Sequence, residues 1–76
     1  MAKISPKLES LLHMAVKTTG TYDPDEVLPY IEEELTLKEC RQVEAFLMWC
    51  MDTGTTFGWN LPTIWDKWQG TPHEKA

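Results

Sequence analysis

Two cysteines, two histidines and twelve carboxylates are the side chains of this 76-residue chain that could ligate a metal or move a proton. Structural zinc sites draw on tight ligand pairs such as Cys-x2-Cys or His-x3-His. Here Cys40 and Cys50 are far apart in sequence, and His13 and His73 lie near opposite ends of the chain. No metal and no other cofactor is therefore expected. The chain also carries no Gly-rich phosphate loop, no HExxH and no Ser/His/Asp set beside a glycine elbow.

Asp52-Thr53-Gly54 is the tripeptide with which paired aspartates share a proton and activate water in the aspartic proteases. That chemistry needs the aspartate on a turn after a strand in an all-β domain, and a second copy to pair with. In this chain the tripeptide closes what reads as a helix, and no second β-type signature follows it. No catalytic residue is assigned, and the chain reads as a protein without catalysis.

The distribution of charge says more. The net charge is −5, and it is uneven. Residues 1–20 carry Lys3, Lys7 and Lys17 against Glu9. Residues 21–40 carry Asp23, Asp25, Glu26, Glu32, Glu33, Glu34 and Glu39 against Lys38 alone. Such an acidic segment opposes non-specific nucleic-acid binding, which depends on neutralising phosphates with lysine and arginine. It suits a partner protein with a basic surface patch.

The elements that position these groups read as four helices, roughly 6–18, 24–35, 37–53 and 61–69, in one all-α domain. Ser5-Pro6 opens the first, with Leu8, Leu11, Leu12 and Ala15 at helical spacing and Gly20 at its end. His13 falls on the polar face, four residues after Glu9. Asp23-Pro24 opens the second, with Glu26 placed to complete an aspartate version of the capping box. Pro29 should bend or restart that helix. The third and central helix starts at the capping box Thr36/Glu39 and stops at Gly54. At 100° per residue, Leu37, Cys40, Val43, Leu47, Cys50 and Met51 gather on one side, with Trp49 away from them. Asn60 caps the fourth, where Leu61, Ile64, Trp65 and Trp68 recur on one face, and Gly70 ends it. Two such tryptophans are costly to leave wet, and the apolar second half of the central helix is the expected resting place. The expected core is Leu8, Leu11, Leu12, Val27, Ile31, Leu35, Leu37, Cys40, Val43, Phe46, Leu47, Cys50, Ile64, Trp65 and Trp68. Residues 1–4 and 71–76 read as flexible tails.

No apolar run approaches the ~20 residues of a membrane span, and no secretory signal opens the chain. Two thiols on one helix, roughly 15 Å apart along its axis, cannot bridge each other and suit a reducing cytoplasm.

Function is then expected to be protein–protein binding by an inhibitor, adaptor or regulator. Small acidic proteins of phages and mobile elements often act this way, by occupying a host protein's surface, an analogy of size and charge only. Glu32, Glu33 and Glu34 would dock a basic surface, and an aromatic from Trp49, Phe57 or Trp59 would anchor it. A second reading takes the second and third helices as a helix-turn-helix, with Lys38, Arg41 and Gln42 reading DNA. A third is self-association into a small homo-oligomer through Trp49.

Overall fold

The structure, a computed structural model, describes residues 4–69. Those residues form the all-α bundle that the spacing predicts: α1 (Pro6–Thr19), α2 (Pro24–Ile31), α3 (Leu37–Thr53) and α4 (Leu61–Gln69), with no strand. A short 3-10 turn, Glu32–Glu34, joins α2 to α3. The tails expected at residues 1–3 and 71–76, and the helix stop expected at Gly70, lie outside the described residues. Ile4, expected in a tail, is instead a core residue at 8% exposure. Its β-branched side chain lies just before the Ser5 cap and joins the same apolar cluster as Leu8.

Local sequence explains most of the boundaries. The Leu8 amide donates to Ser5 Oγ at 3.2 Å, and Pro6 sits where its missing N–H costs nothing. At the start of α3 the capping box is complete: the Glu39 amide donates to Thr36 Oγ1 (3.1 Å), and the Thr36 amide donates to Glu39 Oε1 (2.9 Å). That backbone bond, with the Lys7 ammonium 3.5 Å away, holds the Glu39 carboxyl below the usual carboxylate range. The stability this adds is present at neutral pH and is lost as pH falls through the Glu39 pKa in the folded protein. Gly54 ends α3 at φ 69°. The Thr55 amide donates to the Cys50 carbonyl (2.9 Å) and the Gly54 amide to the Met51 carbonyl (3.4 Å), the two bonds of a Schellman stop.

Three local expectations change. The second helix does not reach residue 35. Pro29 removes the amide that would bond the Asp25 carbonyl, and the α-helical run ends two residues later at Ile31. The chain then tightens into the 3-10 turn, closed by the Leu35 amide on the Glu32 carbonyl at 3.1 Å. Asp23 caps α2 by accepting from the Asp25 amide at 3.0 Å, whereas the Glu26 amide donates to the Asp23 main-chain carbonyl. Asn60 stands just before α4, but its Oδ1 accepts from the Gly58 amide at 2.9 Å and so shapes the preceding loop.

The core draws on all four helices, on Ile4 just before α1 and on Phe57 in the loop before α4. Leu8, Leu12 and Ala15 of α1 meet Val27 and Ile31 of α2, and Val43, Phe46, Leu47 and Cys50 come from α3. Leu61, Trp65 and Trp68 of α4 close the far side with Phe57. Phe46 is the centre of the aromatic part. Its ring lies 4.9 Å from Trp65, 5.4 Å from Trp68, 5.5 Å from Phe57 and 6.2 Å from Trp49, measured between centroids. The α4 tryptophans thus rest where expected, on the apolar second half of α3.

Leu37 is the clear departure from the expected core, at 70% exposure. Leu11, Leu35, Cys40 and Ile64 are only partly buried. The reason is angular. At 100° per residue the fully covered residues Val43, Phe46, Leu47 and Cys50 occupy an arc of about 100°, centred between Val43 and Cys50. Leu37 lies about 130° from that centre, and Met51 about 90°. The arc is turned toward Phe46 because α4 packs on that side.

Candidate functional site

Tyr22, from the segment before α2, reaches across to hold the loop between α3 and α4. The Tyr22 hydroxyl accepts from the Phe57 amide (3.1 Å) and donates to the Phe57 carbonyl (3.0 Å). The two rings also meet edge to face, 4.9 Å apart. Phe57 is thereby drawn into the core at 9% exposure. It is not the exposed anchor that the sequence suggests, because Phe46 stacks on one side of it and Tyr22 meets its edge. Tyr22→Phe strands both bonds while keeping the ring, and is expected to lower stability by about 1–2 kcal/mol. Urea unfolding followed by tryptophan fluorescence measures this, and no change in midpoint would mean that water replaces the hydroxyl.

Of the other two expected anchors, Trp49 is half-buried and stacked over Phe46 at an interplanar angle of 26°. Trp59 is 91% exposed, two residues beyond the Tyr22 clamp. Glu32, Glu33 and Glu34 are all exposed on the 3-10 turn. Lys7, from α1, donates to the Glu34 carbonyl at 3.2 Å and pairs with Glu39 at 3.5 Å, so one cation sits at the edge of the acidic band. The band and Trp59 are not brought together. The triplet follows the C-terminal end of α2, while Tyr22 and the loop it holds precede the N-terminal end, and eight helical residues span about 12 Å.

Lys38 and Arg41 are exposed and Gln42 is half-buried on the first turns of α3. They stand next to Glu39, Glu44 and the acidic turn in sequence, and exposed carboxylates there repel phosphate.

What the fold does assemble is a groove of about 300 Å³ between the start of α2 and the outer side of α3, lined by Asp23, Pro24, Asp25, Glu44, Met48, Met51 and Asp52. Met48 and Met51 are 52% and 53% exposed. The lining holds four carboxylates and no cation. Glu44, Met48, Met51 and Asp52 recur at i, i+4, i+7 and i+8, one stripe of a helix, although the spacing alone grouped Met51 with the apolar side of α3, from which its 53% exposure removes it. The other wall, Asp23 and Asp25, forms only through the packing of α2 on α3.

Other candidate chemistry finds no support in the geometry. Cys50 is buried at 1% exposure, and burial pushes its thiol pKa up to about 12, which keeps it a neutral, poor nucleophile. His13 Nε2 sits 3.9 Å from Glu9 Oε2, with its ring 6.2 Å from Phe57, an arrangement of surface packing beside a carboxylate. Among the described residues no three His, Cys, Asp or Glu side chains lie close enough to hold a metal ion. Nor is any described helix long and apolar enough to cross a membrane. Asp52-Thr53-Gly54 forms the last turn and stop of α3, far from the strand-to-turn setting of a proteolytic aspartate. No known protein family, curated protein or solved structure matches the chain.

Proposed function

We propose that this chain is a small non-catalytic binding protein, an inhibitor, adaptor or regulator, that acts by docking its acidic surface and one exposed aromatic on a partner protein with a basic patch. Trp59 is the observation that carries this reading. A ring able to bury roughly 200 Å² stands 91% exposed on a loop held at both sides by the Tyr22 clamp and the Asn60–Gly58 bond. A tryptophan has only two side-chain torsions to fix, so one presented on a restrained backbone loses little entropy on binding, which suits it as an interface anchor. The acidic band Glu32–Glu34 would add orientation and association rate.

The test is capture of partners from a nuclease-treated lysate, run beside untreated lysate and beside the Trp59→Ala protein. A stoichiometric protein is expected to survive nuclease and to bind Trp59→Ala at least ~30-fold more weakly, the loss of about 2 kcal/mol that defines a hot spot. Capture that disappears with nuclease would move the function to DNA binding through Lys38, Arg41 and Gln42. Capture only of the chain itself would make it a self-associating unit.

A further inference from the structure

We propose that the groove between the start of α2 and the outer side of α3 is a docking site for a basic amphipathic helix of a partner protein. This rests on the binding reading and names the chemistry of what is bound. The first argument is the floor. Met48 and Met51, one helical turn apart, are each about half exposed and line a concavity of about 300 Å³. That volume lies at the bottom of the range of small-molecule pockets, so it suits one or two large apolar side chains better than a whole metabolite. Methionine is the side chain that adapts to such guests, being unbranched and polarisable.

The second argument is the rim. Glu44 and Asp52 flank the methionines along α3, and Asp23, the cap of α2, and Asp25, in its first turn, line the other wall. Glu44 and Asp52 are eight residues apart, about 12 Å along the helix. Because no three of these carboxylates converge on one point as metal ligands must, they match several separate cations better than one ion. A helix with leucines at i and i+3 or i+4, and lysine or arginine one turn beyond on either side, supplies both halves of the complement. The lining contains no lysine, arginine or histidine to oppose it.

The probe is a labelled synthetic helix with leucine on one face and lysine on the other, beside a peptide of the same composition in scrambled order. Binding is read by fluorescence polarisation and by the methyl signals of 13C-methionine protein. We expect the amphipathic peptide to bind and to shift Met48 and Met51 but not Met14, which is similarly exposed on α1. Glu44→Lys should weaken binding at least tenfold. Asp66→Lys, the same charge change at an exposed position of α4 away from the groove, should weaken it no more than about twofold, the residue of long-range attraction. Absence of binding, equal binding of the scrambled peptide, equal loss in both variants, or shifts centred on Met14 would each overturn the groove. The same two variants in the lysate capture separate the two claims. A partner held equally by both sinks the groove and leaves the binding reading standing, whereas no partner at all sinks the binding reading.

Discussion

Phe46→Ala is expected to lower stability by about 3–5 kcal/mol, the range for removing a fully buried aromatic ring. Phe46 is completely covered and touches four other rings, those of Trp49, Phe57, Trp65 and Trp68. The four contacts join three pieces of chain to Phe46: the next turn of α3, the loop after it, and α4. A small domain has no second core to fall back on. At roughly 0.05–0.15 kcal/mol per residue, a chain of this length holds about 4–11 kcal/mol in all, so the loss is of the same order as the whole. The midpoint of thermal unfolding should drop by at least about 12 °C. Phe46→Leu keeps much of the volume and should cost clearly less. Circular dichroism on both variants, followed through heating, is the measurement. A drop of only a few degrees for the alanine variant would mean that α4 closes over the void, and that the aromatic cluster is a soft contact rather than the centre of the core.

Why the aromatic cluster was readable in outline, and the groove was not, follows from where the information lies. Spacing along one helix places residues on its faces, so α3 and α4 could be matched: an apolar second half on one, a pair of tryptophans on the other. Caps were readable for the same reason, since Ser5, Thr36/Glu39 and Gly54 act on backbone groups within a few residues of themselves. Phe57 was misread as an exposed anchor because its burial depends on Tyr22, 35 positions away, whose hydroxyl holds both polar groups of the Phe57 backbone. The acidic residues show both cases. Glu32–Glu34 are exposed, as a run of carboxylates on a short turn must be. Asp23 and Asp25 read only as helix-starting residues, and it is the packing of α2 on α3 that sets them across a groove from Glu44 and Asp52.

Leu47→Ala and Leu37→Ala should give opposite answers although they are the same substitution in the same helix. Leu47 is fully buried, and its truncation is expected to cost about 2–5 kcal/mol through lost burial and the cavity left behind. Leu37 is 70% exposed, so the same change there should stay within about 0.5 kcal/mol. Helix propensity cannot produce the contrast, because leucine and alanine differ little and both sites are helical. Turning the buried arc of α3 back toward Leu37 would expose the Phe46 side, so the pair of variants reports directly on which side α4 lies. Urea midpoints of the two proteins decide it. Comparable losses at both positions would mean that the arc is centred between Leu37 and Leu47, about 140° from Phe46, and would displace α4 from the Phe46 side. A wide gap, with Leu37→Ala close to the parent, fixes α4 on the Phe46 side. The opposite side of α3, where Glu44, Met48, Met51 and Asp52 form a stripe, is then the one turned outward, which any partner of the groove requires.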